Sequence, residues 1–132
     1  MNCVEYCIGC EIFCQILESV QYLHELNLQI IHRDIKPDNI LIAHNVRNGR
    51  FIKLCDFGLA IFHGEYNETD GTDEFSDRLS SQHTTDVGTR GYMAPEIHMS
   101  TYNSKVDIYS LARTGGELFD VDIIMFNSIL IK

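Results

Sequence analysis

Two carboxylates, an amide and a lysine stand at spacings that suit metal-assisted transfer chemistry. Asp34 follows His32-Arg33, Lys36 and Asn39 lie just beyond it, and Asp56 opens the triplet Asp56-Phe57-Gly58. Asp34 is a candidate proton acceptor. Asn39 offers an amide oxygen and Asp56 a full carboxylate, both hard donors of the kind Mg²⁺ accepts. That ion needs few protein ligands, because it keeps water and phosphate oxygens in its shell. Gly58 supplies the torsional freedom to turn the chain after such a ligand. Taken singly, each residue says little, since an Asp before an apolar strand is more often a turn or cap residue. The set carries the meaning.

Ala94-Pro95-Glu96 completes an ordered series with His32-Arg33-Asp34, Asn39 and Asp56-Phe57-Gly58. The series matches the protein-kinase signatures for the catalytic loop, the metal-binding turn and the end of the activation loop. At a mean usage of about 5% per residue type, chance agreement is on the order of 10⁻¹³ per alignment. From about Cys10 to Phe119 the chain resembles the large lobe of a eukaryotic protein kinase. The resemblance rests on Tyr22-Leu23-His24, Ile31 to Leu41, Lys53 to Ala60, Gly88 to Glu96 and Asp107 to Leu111.

The resemblance implies a mainly α (α+β) fold: a kinase-like large-lobe fragment with a small β-hairpin around the catalytic loop and no small lobe. Residues 1–132 are then a partial kinase domain, with 10–119 the matching core and 61–89 a long activation loop. It also implies ATP-dependent phosphorylation of protein serine and threonine, with ATP and Mg²⁺ as cofactors. Asp34 is the implied base, Asn39 and Asp56 the metal ligands. Lys36 resembles the serine/threonine-kinase lysine that reaches the transferred phosphate, and Thr89 the threonine that bonds base and lysine. Arg33 resembles an arginine neutralised by a phosphate on the activation loop, for which Thr84 and Thr85 are the nearest acceptors, with Ser80 and Ser81 behind. Asp107 resembles the central-helix aspartate that holds the catalytic-loop backbone. Tyr109, Ala112 and Arg113 depart from the family's pattern. The Gly88–Glu96 and Asp107–Leu111 stretches lean mildly towards stress-type eIF2α-like kinases.

The elements that must position these groups follow from periodicity. Phe13, Ile16, Leu17, Val20, Leu23 and His24 recur at helical spacing, with Gln15, Glu18, Ser19, Gln21 and Glu25 opposite, which predicts a helix over 10–27 closed by a left-handed Asn27. Ile30-Ile31 reads as a short extended piece. Ile40–Ile42 and Phe51–Cys55 are strand-like, with the turn between them in Asn45–Arg50. No period persists over 61–89. Pro95 opens a short helix, and Ser104 caps another through about Phe119, with Val106, Ile108, Tyr109, Leu111 and Leu118 as core positions. Gly115-Gly116 inside it costs about 1 kcal/mol per glycine relative to alanine.

Composition narrows the class. An apolar content of 45% and a charged content of 22% fit a folded globular chain. Ten Lys plus Arg against nineteen Asp plus Glu argue against a nucleic-acid or anionic-membrane partner. The acid is concentrated in Glu65, Glu68, Asp70, Asp73, Glu74 and Asp77, which read as a solvated loop. Met1–Cys14 lacks the basic start of a signal peptide, and the Ile123–Ile131 stretch is too short to span a bilayer. The expectation is a cytoplasmic or nuclear protein, with the Asn67-Glu68-Thr69 sequon a coincidence. The five cysteines fit reduced thiols better than a disulfide framework. Cys3, Cys7 and Cys10 have the spacing of the iron–sulfur loop of radical S-adenosylmethionine enzymes, but Cys14 extends it to a helical stripe, and a buried stripe or a coincidence of spacing is the favoured reading. Cys55 reads as a small buried hydrophobe.

Two kinase parts are not found in the sequence: a glycine-rich phosphate loop and a Val-Ala-x-Lys strand. Two readings follow. One is a piece of a serine/threonine kinase, inactive in isolation. The other is a non-catalytic kinase-like binding module. Both leave room for a partner chain that supplies or covers the missing lobe.

Overall fold

The computed structural model describes residues 1–63, 84–99 and 101–120. The acidic run, the sequon, Ser80, Ser81 and the apolar 123–131 stretch lie outside these residues. Two α-helices, two two-stranded antiparallel sheets and three short 3-10 turns make up the described part.

Helix α1 spans Cys3–His24. It begins seven residues earlier than the apolar periodicity indicates, because Asn2 and Glu5 form a capping box: the Glu5 N–H donates to Asn2 Oδ1 and the Asn2 N–H to Glu5 Oε2, both at 2.9 Å. It ends at a right-handed Glu25 cap, so Asn27 is not the left-handed terminator. Ile16, Val20 and Leu23 face the core, whereas Leu17 is largely exposed. Gln15, expected on the polar face, is buried. Its Nε2 donates to the Gly49 carbonyl at 2.9 Å and its Oε1 accepts from the Phe51 and Ile52 N–H groups at 2.9 and 3.2 Å. One amide thus clamps the hairpin to the helix.

That hairpin is β2 (Ile40–Arg47) and β3 (Arg50–Leu54), paired from Ile40↔Leu54 through Ile42↔Ile52 to Arg47↔Arg50 with an irregularity between. Its turn is the pair Asn48-Gly49, both at positive φ (53° and 75°). Two left-handed residues match the twist of the flanking strands, and Asn-Gly is the pair that adopts them most readily. A second pairing joins β1 (Gln29–Ile31) to β4 (Ile61–His63). The expected loop over 61–89 therefore starts with a strand, whose partner lies thirty residues away and leaves no local signal.

Helix α2 spans Lys105–Leu118. Ser104 already has helical torsions and makes no side-chain cap; Asn103 Oδ1 takes that role, accepting from the Lys105 N–H at 3.0 Å. Its buried stripe is Val106, Asp107, Ser110, Leu111, Thr114 and Gly115. Ile108 and Tyr109, expected in the core, are 50% and 39% exposed. Ala112 points outward and Arg113 Nε donates to the Gly91 carbonyl at 2.9 Å, so these departures leave the helix regular. Gly115 has a packing reason: a Cβ there would meet the Phe13 ring at 2.7 Å. Two small cores share α2. Ile31, Ala94, Ile97, Tyr102 and Val106 form one, beneath the catalytic-loop motif. Ile16, Ile52 and Leu111 form the other, beneath the hairpin. Each fully buried aliphatic contributes about 1.5–3 kcal/mol.

Candidate active site

The segment between β1 and β2 is held from below by α2. Asp107 is fully buried (0% exposed). Its Oδ2 accepts from the His32 N–H and from His24 Nε2, and its Oδ1 from the Arg33 N–H, all at 2.8 Å. A carboxylate accepting two backbone donors fixes their peptide planes, which lets Arg33 hold a left-handed φ of 67°. His32 is equally buried. Its Nε2 donates to the Cys55 carbonyl at 3.0 Å and its Nδ1 accepts from the Asp34 N–H at 3.3 Å, the pattern of a neutral ring protonated on Nε2. The ring also lies 4.8 Å from that of Phe57. Cys55, half-buried, contributes backbone here, not its thiol.

Asp34 is 7% exposed and accepts from three side chains. Thr89 Oγ1 donates to Oδ1 at 2.7 Å; Asn39 Nδ2 and Lys36 Nζ reach Oδ2 at 3.0 Å. Lys36 Nζ also donates to Thr89 Oγ1 at 2.7 Å, closing a ring of Asp34, Lys36 and Thr89. Burial pushes the Asp34 carboxyl up, but the Thr89, Lys36 and Asn39 bonds and the Lys36 charge outweigh it and hold it below the usual carboxylate range. The Asp34 bond holds Lys36 above the ordinary lysine value against a desolvation that lowers it, with the charges of Asp34, Asp38 and Asp56 adding to the rise.

Asn39 also donates from Nδ2 to the Asp34 carbonyl at 2.8 Å. Its amide protons are therefore committed to Asp34, which leaves the amide oxygen as its ligand atom. Asp56 is exposed, in the left-handed region (φ 58°), and its Oδ1 accepts from the Gly58 N–H at 3.3 Å. That donor set, one amide oxygen and one carboxylate beside Lys36, suits a hard divalent cation that keeps most of its own water.

Arg33 Nε donates to the Leu59 carbonyl at 2.6 Å, and Nη1 to the Thr84 and Tyr102 hydroxyls, each at 2.7 Å. Among the described residues no carboxylate lies within ion-pair distance of this 7% exposed guanidinium. Thr84 sits on it; Thr85, also exposed, does not. Gly88 brings the later segment onto the loop. At φ 115° any Cβ would stand 2.7 Å from the Arg33 carbonyl oxygen. Tyr102 sits in no motif, so nothing local in the sequence points to it, whereas Gly88, a glycine beside a site threonine, is a signal of close backbone approach.

A sequence model of the protein kinase domain matches residues 3–127. The chain belongs to the protein kinase family. The eIF-2-alpha kinase GCN2 of Schizosaccharomyces pombe is 42% identical over 106 residues, which are 76% of this chain and 6% of that protein. Rat eukaryotic translation initiation factor 2-alpha kinase 3 is 40% identical over 108 residues, covering 81% of this chain and 9% of that protein. A chain in the crystal structure of the yeast RNA Pol II CTD kinase CTDK-1 complex superposes with a TM-score of 0.61 at 31% identity, over 85% of this chain and 31% of that one. This kinase chain thus spans a small fraction of the relatives it matches, and its fold is part of a kinase fold. Of the motif residues, Lys36, Asn39 and Thr89 converge on Asp34, while Phe57 packs its ring against His32 and Ala94 lies in the core beneath.

Proposed function

We propose that this chain forms the catalytic floor of a serine/threonine protein kinase, transferring the terminal phosphoryl group of ATP to a protein hydroxyl. The observation that carries the reading is the closed ring of Asp34, Lys36 and Thr89. Phosphoryl transfer asks the protein mainly to aim the hydroxyl and neutralise charge, with little covalent chemistry of its own. Asp34, held ionised below the usual range, accepts the hydrogen bond of an incoming hydroxyl and aims it. It takes the proton late, since a weak base does not strip it early. Lys36 presents an ammonium beside it for the transferred phosphate. Thr89 locks the two together and ties the end of the expected activation loop to the base. Asn39 and Asp56 would hold Mg²⁺, which neutralises phosphate charge when bound.

Arg33 is the regulatory group of this reading. A buried cation whose acceptors among the described residues are all neutral is poorly compensated by them, and a phosphate on the Thr84 hydroxyl would add a dianion directly against it. Such a group makes one to three charge-assisted bonds and orders its segment.

The test uses a polypeptide holding this segment together with a glycine-rich loop and a strand lysine. Asp34→Ala should lower phosphoryl transfer to a Ser/Thr peptide library by about 10²–10⁴-fold, the usual worth of a positioned base. An unchanged rate would favour the non-catalytic binding module. The chain alone should show no transfer above the Asp34→Ala background, because nothing among its described residues covers a nucleotide. Turnover by the chain alone that Asp34→Ala abolishes would overturn that expectation.

A further inference from the structure

Helix α1 carries a feature that kinase chemistry does not use. At 100° per residue, Cys3, Cys7, Cys10 and Cys14 fall within about 60° of arc. Their 4-3-4 spacing is that of the a/d seam of a coiled coil, and Leu17 continues it. Cys3, Cys7 and Cys14 are exposed, Cys10 is half-buried and all are free thiols, so the expectation of a buried stripe does not hold for these residues. The core face of the same helix, with Gly9, Ile16, Val20 and Leu23, lies on the other side. Cysteine is among the residue types most often buried, yet packing among the described residues leaves Cys3, Cys7 and Cys14 exposed and Cys10 only half-buried. Val4 and Ile8, 67% and 55% exposed, add apolar area to this end of the helix.

Among the described residues of one chain, no three His, Cys, Asp or Glu side chains converge well enough to hold a metal ion. The described residues of one chain therefore offer at most pairs. Cys7 and Cys10, with two residues between them, have the C-x₂-C spacing of half a tetrathiolate site, and a thiophilic ion wants four such ligands. The missing half is what a second copy brings when a/d seams meet.

We propose that α1 joins two copies of this chain through a thiophilic divalent cation of the zinc class, held by Cys7 and Cys10 of each copy. Cys3, Cys14 and Leu17 extend the seam on either side. No electron transfer is involved. Each thiol gives its proton to solvent as it binds, four per ion, so affinity falls as pH falls.

The test titrates the reduced, metal-free chain with Co²⁺ under anaerobic conditions. The expected result is the ligand-field absorption of tetrahedral thiolate-bound Co²⁺, saturating at one ion per two chains, with a metal-dependent doubling of the 15.1 kDa mass in light scattering. Cys7→Ser/Cys10→Ser should abolish both while circular dichroism retains the helix, and Cys55→Ser should leave both intact. In the unmutated chain, Zn²⁺ should shield Cys7 and Cys10 from alkylation in peptide mass spectra, a readout that does not depend on any variant folding. Saturation at one ion per chain, a monomeric mass at saturation, undiminished alkylation, or a thiolate spectrum that survives Cys7→Ser/Cys10→Ser would each overturn the proposal.

Discussion

At Asp34, burial and hydrogen bonding pull in opposite directions, and hydrogen bonding prevails. The Thr89 bond is the largest influence lowering its pKa. Thr89→Val should therefore move the Asp34 titration up towards or past the ordinary carboxylate value of about 4, read as the ¹³Cγ shift of that residue against pH. No movement would mean that Lys36 and Asn39 suffice to keep the group below the usual range. The sign for stability follows. A carboxyl depressed in the folded state contributes stability above its unfolded pKa, and that contribution disappears as pH falls through the lower folded value. Lys36 runs the other way, its contribution present below the unfolded lysine pKa and lost as pH rises through the raised folded value. At Arg33, stoichiometric phosphorylation of Thr84 should protect the Ala60 amide from hydrogen exchange, because the guanidinium bonds the Thr84 hydroxyl and the Leu59 carbonyl, and the N–H of that same peptide unit donates to the Phe57 carbonyl at 3.1 Å. Phosphorylation at Thr85 alone should do so less. Equal protection from both would remove Thr84 from its privileged place.

Elements were readable where their cause is local and obscure where it is not. The helical period of α1, the two hairpin strands and the Pro95 turn follow from side-chain pattern and torsional preference. Asn48-Gly49 marks the turn more sharply than the polar stretch around it. In α2, Val106 and Leu111 are buried as expected, but Ile108 and Tyr109 are not, because Asp107, Ser110 and Thr114 share the buried stripe. Ser110 Oγ donates to the Tyr92 carbonyl at 2.7 Å and Thr114 Oγ1 to the Ser110 carbonyl at 2.9 Å, so both are satisfied in the interior. Pattern alone cannot foresee partners eighteen residues away. The motif residues of the site were legible; the geometry joining them, such as Asp107 beneath the loop and Gly88 against Arg33, needs long-range contact. Two substitutions separate the cases. Asp107→Ala strands the His32 and Arg33 N–H groups and should destabilise by at least about 2–3 kcal/mol, whereas Ile108→Ser should change stability by less than about 0.5 kcal/mol. Gly115→Ala forces a methyl against Phe13 and should cost about 1–3 kcal/mol despite the better helix propensity. Urea unfolding of the three variants decides the ordering.

For the whole molecule, two small cores must hold together surfaces that carry much apolar area. Tyr22, Leu41, Ile42, Val46 and Ile108 are each half exposed or more. Ile42 also lines an apolar groove of about 370 Å³ between α1, the hairpin and α2, with Ile12, Ile16, Ile40 and Leu118. Exposed patches of this kind favour association. Against it stands a formal net charge of −9. Like charge on every copy repels over a Debye length of roughly 10 Å at 0.1 M salt, shrinking to roughly 3 Å at 1 M. Apolar burial between copies does not weaken with salt and in many salts strengthens. The balance should therefore tip with ionic strength. With a chelator present, to keep thiol–metal pairing out, the mean mass in sedimentation should rise from low to high salt at fixed protein concentration. Ile42→Asp should blunt that rise by adding charge where apolar surface meets. A mean mass that falls with salt would show instead that ion pairs between copies, of the Arg50–Glu18 kind seen within one chain at 2.9 Å, outweigh both the repulsion and the apolar contact.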